Sequence, residues 1–299
     1  MTTIAARLQA VRSRIAAAAG AAGRSPEDIR LIAVSKTFSA AGIREARAAG
    51  QVAFGESYLQ EALGKIAVLG SELEWHVANG QQDGEGQEGD VRHSSGVRQR
   101  DVDGALGQAV ELAHGSASSV ARSEAPRSGA SSPQAGPLLL PIEWHFIGPI
   151  QSNKTRQIAE LFHWAHGIDR LKIAERLSSS RPAGRPPLEI CIQVNVSGEG
   201  SKSGVRPDEV LALAQAISPL KGVRLRGLMA IPEPTPDLGL QRARFGQIRE
   251  LKNEIVGYGI ALDTLSMGMS DDLEAAIAEG ATLVRVGRAI FGERPSNPG

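Results

Sequence analysis

Short apolar runs alternate with amphipathic stretches along most of the chain. Five uncharged residues, Leu31–Ser35, precede Lys36, and a run of that length rich in branched side chains is typical of a strand buried on both faces. Helical spacing follows from Ser39 to Gly50, two residue types that favour the ends of a helix. The same strand-then-helix pattern recurs to the end of the chain, and an amphipathic helix over residues 3–19 precedes it.

The pattern predicts eight strands in all. They cover residues 31–36, 52–57, a segment starting at 142, 164–168, 188–196, 225–231, 264–267 and 282–287. The predicted helices cover residues 39–50, 58–69, a segment after 153, 169–177, a segment from 207, 238–258 and 270–279.

One long segment, residues 77–141, interrupts the alternation. It is rich in Gly, Ser, Gln, Asp and Arg, and within it only Ala105–His114 resembles a short helix. Such a composition cannot bury enough apolar surface to offset chain entropy, so we predict a disordered low-complexity insertion. Similar tetrapeptides bracket it, Leu73-Glu-Trp-His76 and Ile142-Glu-Trp-His145, and only one of them can form the third strand. We assign the strand to the second copy, because Phe146-Ile-Gly148 extends it and a helix start follows.

Eight strand–helix pairs over about 230 residues, with the insertion set aside, match the size of one (β/α)8 barrel spanning residues 1–299. A doubly wound open sheet is the alternative, but that fold usually has fewer strands and a glycine-rich turn after the first strand. Here the turn is Lys36-Thr-Phe38, without that glycine pattern. The sequence therefore favours an α/β fold of the TIM-barrel type. We expect the insertion to leave it between the second helix and the third strand, on the N-terminal side of the barrel.

Charge and cysteine content narrow the class of protein. Lys and Arg number 33, as do Asp and Glu, so the basic excess expected of a nucleic-acid-binding protein is missing. The single Cys191 lies in an apolar run and is expected to be a packed thiol, without a disulfide or metal. No stretch approaches the roughly 20 apolar residues that span a membrane, and the N-terminus has no signal-peptide core. We expect a cytoplasmic protein with no nucleic-acid or membrane partner.

Candidate chemistry lies at three strand ends. Lys36 follows the first strand, at the end where barrels bind ligands, and a partly desolvated lysine can act as a nucleophilic amine. The run Ser266–Ser270 and the pair Gly287-Arg288 follow strands seven and eight, where barrels often bind phosphate. Arg285 shares its strand face with Gly287, and its direction decides whether it meets a ligand. A solvated lysine and a plain strand-to-helix turn are the alternatives, but together these parts suit a phosphorylated aldehyde held as an imine, such as pyridoxal phosphate.

Nine short motifs occur in an order that resembles the pyridoxal phosphate homeostasis protein family, which has the alanine racemase N-terminal domain fold. They are Ala33-Val-Ser-Lys-Thr37, Phe54-Gly-Glu-Ser-Tyr58, Trp144-His-Phe-Ile-Gly148, Gln151-Ser-Asn-Lys154, Gln193-Val-Asn-Val-Ser197, Ser201-Lys-Ser-Gly204, Gly227-Leu-Met-Ala-Ile231, Leu265-Ser-Met-Gly-Met-Ser270 and Arg285-Val-Gly-Arg-Ala-Ile-Phe-Gly292. Each motif is weak alone, but nine in order are specific. The resemblance extends from about Ile4 to Arg294, apart from the insertion.

The resemblance implies a set of roles for the site residues. Lys36 would carry pyridoxal phosphate as an internal aldimine, and Arg285 would lie near its ring or phosphate. The phosphate would be bound by Ser266, Gly268, Gly287 and Arg288, and the pocket would be lined by Ser57, His145 and Met229. Two of these positions depart from the family pattern, since the family commonly has Asn at position 57 and Thr at position 288.

Three functions follow as hypotheses. The first is a carrier that stores pyridoxal phosphate and delivers it to apo-enzymes without turnover, with Lys202 as a second amine for transimination. The second is an amino-acid racemase, but alanine racemase needs a tyrosine base from a C-terminal domain, and the chain ends at Gly299 with Tyr58 and Tyr258 as its tyrosines. Tyr58 is expected to be packed and Tyr258 structural. The third is a barrel that binds another phosphorylated metabolite. We interpret His163 and His166 as ordinary histidines, and His76 as displaced from the pocket.

Overall fold

A computed structural model describes residues 2–80, 141–196 and 203–293, with the backbone alone for residues 71–80. Eight parallel strands close into a barrel in sequence order, β1 next to β2 and finally β8 next to β1. The strands are β1 Arg30–Val34, β2 Ala53–Glu56, β3 Glu143–Phe146, β4 Trp164–Ile168, β5 Leu188–Val194, β6 Val223–Ala230, β7 Thr264–Ser266 and β8 Leu283–Val286. The predicted TIM-type barrel is confirmed.

Helix α1 precedes β1, and a helix follows each of the eight strands, as predicted. They are α1 Ile4–Ala21, α2 Ala40–Ala48, α3 Leu59–Gly80, α4 Thr155–Leu161, α5 Leu171–Ser180, α6 Val210–Ile217, α7 Leu238–Gly257, α8 Leu273–Ala278 and α9 Arg288–Phe291. Short 3-10 turns cover Pro26–Asp28, Ser152–Lys154 and Pro207–Glu209. None of the helices in the described ranges is long and apolar enough to cross a membrane.

The inside of the barrel is filled by side chains from alternate strand positions, as the two-residue period of a strand requires. One buried cluster joins Ile32, Ala53, Trp164, Cys191, Met229 and Leu283 from six strands. Burial raises the pKa of the Cys191 thiol to about 12, which fits a packed thiol. Because all strands are parallel, their C-terminal ends meet at one face, and the candidate site lies there.

Helix α1 packs against α2, α8 and α9, the helices that follow β1, β7 and β8. Its apolar stripe is buried, and the side-chain oxygen of Thr3 caps its first turn by accepting from the Ala6 amide at 3.2 Å. Arg14 donates to the Ser270 carbonyl at 3.1 Å and pairs with Glu274 at 2.9 Å. The N-terminal helix therefore contacts the loop that follows β7, which belongs to the candidate site.

The structure corrects several predicted boundaries. Helix α3 continues through Gly80 instead of ending at Leu69, so the first Glu-Trp-His copy is helical and residues 77–80 are not part of a disordered insertion. Strand β3 uses the second copy, as predicted. Strand β1 ends at Val34 and β5 at Val194, two residues earlier than expected in each case.

Some predictions fall on other parts of the chain. The low-complexity segment 81–140, the possible helix Ala105–His114 and the loop lysine Lys202 lie outside the described residues. The described parts of residues 1–62 and 139–299 form one compact unit, the barrel, and α3 from Leu63 onward belongs to a separate unit. A single domain over residues 1–299 stays a prediction.

Candidate functional site

Lys36 lies in the turn that follows β1 and is half-buried. The next residue, Thr37, has a φ of 69°, in the left-handed region that non-glycine residues seldom occupy. Glu61 at the start of α3 stabilises this conformation, because its carboxylate accepts a hydrogen bond from the Thr37 amide at 2.6 Å. The backbone next to Lys36 is therefore a strained turn that Glu61 stabilises.

The end of β2 is packed tightly beside this turn. The buried Ser35 hydroxyl donates to Glu56 at 2.6 Å, and the Ser35 amide donates to the Gly55 carbonyl at 3.0 Å. Ser57 follows directly and is half-buried. A Cβ at Gly148 would lie 2.4 Å from the Ser57 carbonyl oxygen, so the loop after β3 can approach Ser57 only because position 148 is glycine.

The loop after β7 is held in one conformation by its own residues. Gly268 has a φ of +93°, and a Cβ there would lie 2.6 Å from the Cβ of Ala276. The Met269 amide donates to the Asp272 carboxylate at 2.6 Å, and the Arg285 amide donates to the Gly268 carbonyl at 2.9 Å. Glycine is required here both for its backbone conformation and for its close packing against α8.

Arg285 points into the barrel and is 3% exposed. Its NH1 nitrogen donates to the carbonyl of Ser266 at 2.6 Å and to the hydroxyl of Ser266 at 2.7 Å, and NH2 donates to the Ala230 carbonyl at 2.9 Å. These acceptors are all neutral oxygens. Burial lowers the pKa of Arg285 to about 10, and the nearby Asp272 carboxylate partly opposes that change. A buried cation of this kind favours an anionic or electron-rich ligand beside it.

Gly287 and Arg288 follow β8. A Cβ at Gly287 would lie 3.3 Å from the Val34 carbonyl oxygen, so the end of β8 lies directly against the end of β1. The Arg288 side chain is more than half exposed and pairs with Asp271 from the loop after β7. The two loops that follow β7 and β8 are thus bridged by an ion pair at the protein surface.

Two histidines inside the barrel form a feature that the sequence interpretation missed. His166 lies between His145 and Ser266, with its Nε2 3.0 Å from Nδ1 of His145 and its Nδ1 2.8 Å from the Ser266 hydroxyl. Both rings are fully buried, and burial is the main cause that lowers the pKa of each below its usual value. His145 also stacks on Trp164, with 5.6 Å between ring centroids. The sequence interpretation gave His166 no role at the site, whereas the structure places it in contact with His145 and Ser266, two predicted site residues.

The contacts of the histidine pair extend through Glu143 toward the opposite end of the barrel. Nε2 of His145 lies 2.7 Å from a Glu143 oxygen, although the two atoms are poorly aligned for a regular hydrogen bond. Glu143 in turn pairs with Arg30 at 2.7 Å. Burial raises the pKa of Glu143, but the contacts with His145 and Arg30 outweigh it and hold the pKa at about 2. We call Arg285, Ser266, His166, His145 and Glu143 the barrel chain.

The other predicted residues are placed as follows. Met229 is fully buried in the inner cluster of the barrel, in register with Ser266 of β7. Tyr58 is 55% exposed at the C-terminal face, so the expectation that it is packed was wrong, and Tyr258 is exposed at the end of α7. Over the described ranges, no cluster of three or more metal-ligating side chains occurs.

Comparison with known proteins gives consistent matches. A family model described as alanine racemase, N-terminal domain, matches residues 6–295. The chain is 48% identical over 294 residues to the pyridoxal phosphate homeostasis protein of Pseudomonas aeruginosa, covering 98% of this chain and 97% of that protein. It is 42% identical over 297 residues to the protein of the same name from Escherichia coli K12, covering 98% of each.

Solved structures show the same relationship. PipY of Synechococcus elongatus PCC7942, a structure with pyridoxal phosphate bound, is 30% identical with a TM-score of 0.65, over 97% of this chain and 100% of PipY. Alanine racemase from Corynebacterium glutamicum shares the fold with a TM-score of 0.51 at 14% identity, over 97% of this chain and 63% of the racemase. Fold and match together define a barrel of the alanine racemase N-terminal domain class. Within that class, the chain belongs to the pyridoxal phosphate homeostasis protein family.

Proposed function

We propose that this protein binds pyridoxal 5'-phosphate through Lys36 and acts in cofactor homeostasis by storing and delivering it. The observation that carries the proposal is the gathering of Ser57, Lys36, Arg285 and Ser266 at or near the ends of four neighbouring strands, β2, β1, β8 and β7. The names of the relatives and the cofactor bound to PipY support this choice of ligand.

The residues present fit the chemistry of this cofactor. Lys36 would hold the cofactor through its amine, and the cofactor would supply the aldehyde carbon to which that amine attaches. The β7 and β8 loops would offer Gly268, Gly287 and Arg288 to the phosphate, and Ser266 would hold Arg285 beside them through the hydrogen bond that its hydroxyl accepts. The buried Arg285 guanidinium gives a fixed positive charge beside the ring or the phosphate, and the pocket is completed by Ser57, His145 and Met229.

Covalent attachment is tested by absorbance and by borohydride reduction. The wild-type protein is expected to show an imine band with added cofactor and, after reduction, one pyridoxyl adduct on the Lys36 peptide. Lys36→Ala should lose both signals. Lys221→Ala is the matched control, because Lys221 is exposed and precedes β6 at the opposite face of the barrel. An adduct on another lysine contradicts the assignment of Lys36, and the absence of any adduct contradicts the proposal and leaves a different phosphorylated metabolite as the ligand.

A carrier without turnover is the favoured role, and a racemase is the second candidate. The phenol of Tyr58 is exposed beside Ser57, and this observation favours keeping the racemase, since racemisation needs a second base. Incubation of the loaded protein with L-alanine in deuterated water separates the two roles. A carrier gives no steady exchange at the α-carbon, whereas steady exchange that is lost in Tyr58→Phe would establish the racemase.

Delivery requires release from Lys36. We propose that Lys202 assists by transimination and that apo forms of cofactor-dependent enzymes are the recipients. The Lys202→Ala protein should load normally but transfer the cofactor more slowly to an apo-enzyme in a coupled reactivation assay. Equal transfer rates for the two proteins would exclude this role.

A further inference from the structure

The barrel chain has a direction that can be worked out from its two ends. Glu143 is ionised and lies 2.7 Å from Nε2 of His145, so that nitrogen must carry a proton, because two acceptors would repel each other at this distance. His145 is fully buried, and burial disfavours the charged ring, so its Nδ1 is left without a proton. His145 therefore offers its Nδ1 to His166 as an acceptor.

The same logic fixes the next two links. His166 must donate from Nε2 to Nδ1 of His145, across 3.0 Å. Since His166 is also buried and neutral, its Nδ1 accepts a hydrogen bond that the Ser266 hydroxyl donates across 2.8 Å. The Ser266 oxygen in turn accepts from NH1 of Arg285 at 2.7 Å. Every donor thus points from the cation Arg285 toward the anion Glu143.

This direction constrains what Ser266 can do at the site. A serine hydroxyl has one proton, and here that proton is committed to His166. The hydroxyl oxygen is fixed between His166 and Arg285, and the Arg285 guanidinium is fixed by the same contact and by the carbonyls of Ser266 and Ala230. Without an acceptor at position 166, the hydroxyl could rotate and Arg285 would lose one defined partner.

We propose that His166 is a positioning residue for the cofactor site, which holds Ser266 and Arg285 in place by accepting a hydrogen bond from the serine hydroxyl. The proposal rests on the proposed function for the identity of the ligand, but the hydrogen bonds of the barrel chain are present without any ligand. The charged groups at its two ends are Arg285, with Asp272 nearby, and Glu143, with its partner Arg30. His166 acts through Ser266 and does not need to touch the cofactor.

Two substitutions separate this role from simple packing. His166→Phe fills the space without an acceptor, and we expect the dissociation constant for pyridoxal phosphate to rise about tenfold, the effect of one lost hydrogen bond. His166→Asn can place an amide oxygen near the position of Nδ1, and it should recover most of the affinity and the wild-type pH profile of the imine band. Equal affinities for the Phe and Asn variants would overturn the proposal.

A double-variant cycle tests whether His166 acts through the serine. Ser266→Ala should weaken binding, and adding His166→Phe should weaken it little further, because the partner is already lost. Fully additive losses would contradict the proposal. His163→Phe is the matched control, since His163 is another largely buried histidine but accepts its hydrogen bond from the Trp144 backbone amide at 3.0 Å. That variant should lose stability and keep the affinity of the wild type.

A measurement without cofactor keeps the test independent of the proposed function. Nitrogen-15 NMR of the histidine-labelled, ligand-free protein at about pH 6, close to the usual histidine pKa of about 6.5, should show neutral rings protonated at Nε2 for both His145 and His166. A charged ring, or a proton on Nδ1 of His166, would overturn the direction that we assign to the hydrogen bonds of the barrel chain. If the chain is found as described but the wild-type protein does not bind pyridoxal phosphate, the proposed function fails and His166 positions no such cofactor.

Discussion

At the residue scale, the site depends on backbone conformations that most side chains disfavour. Within the described ranges, Thr37 is the one non-glycine residue with a positive φ, and it stands next to Lys36. Such a conformation costs roughly 1–2 kcal/mol, which the hydrogen bond from the Thr37 amide to the Glu61 carboxylate offsets in part. Gly268, in the loop after β7, also has a positive φ, and it lies close to Ala276. Strain of this kind is maintained where it directs a side chain or a loop toward a ligand.

Gly268 and Gly280 form a matched pair for testing this requirement. Both have a φ near +93°, but a Cβ at Gly280 would find its nearest neighbour at 3.8 Å, against 2.6 Å at Gly268. Gly280→Ala should therefore lose about 1 kcal/mol of unfolding free energy from the backbone alone. Gly268→Ala should lose about 1–3 kcal/mol more through the clash with Ala276. Urea denaturation of the two proteins measures the difference, and equal losses would show that the close packing does not matter.

At the element scale, α1 is tied to the loop that follows β7. Arg14 reaches both the Ser270 carbonyl and the Glu274 carboxylate, so one side chain links the N-terminal helix with the site loop and with α8. The ion pair is half exposed and contributes little to stability by itself. The bond to the carbonyl is the part that restrains the loop.

Two substitutions at this contact should separate the loop restraint from the charge pair. Arg14→Ala removes both bonds, and we expect faster hydrogen exchange of the amides in 267–272 and a two- to fivefold weaker affinity for pyridoxal phosphate, within the range of one partly exposed hydrogen bond. Glu274→Gln removes the charge but leaves Arg14 on Ser270, so exchange and affinity should stay close to wild type. If both variants behave alike, the loop is not restrained by α1.

The sequence carried information about strand ends but not about contacts across the barrel. Lys36, Ser266 and Gly287 could be placed at one face because parallel strands end together. The two-residue period related Arg285 to Gly287, but it could not decide that Arg285 points inward. The meeting of His145, His166 and Ser266 joins β3, β4 and β7, and it depends on the stagger of strands that are distant in sequence. The full length of α3 was missed because Leu73-Glu-Trp-His76 fits a strand and a helix equally well.

At the scale of the whole molecule, the buried histidines connect folding to pH. His145, His163 and His166 all have a lowered pKa, mainly through burial, and that of His163 is about 4. The unfolded chain then binds more protons than the folded one below the usual histidine pKa of about 6.5. The contribution of these histidines to the unfolding free energy is therefore fully present above that pH, and it is lost as the pH falls toward their pKa values in the folded protein. Glu143 acts in the same direction at lower pH, because its stabilising contribution is lost between its usual pKa of 4.5 and about 2.

The expected result is an unfolding free energy that decreases steadily from pH 7 to pH 4, by an amount on the order of 3 kcal/mol for His163 alone. Urea denaturation at a series of pH values measures it. His163→Phe should be less stable than the wild type at pH 7 but should lose less stability on acidification, because one of the three histidines whose pKa is lowered in the folded protein is gone. A stability that does not change between pH 7 and pH 5 would mean that the folded protein accommodates charged histidines inside the barrel. The neutral rings on which the direction of the barrel chain depends would then be excluded as well.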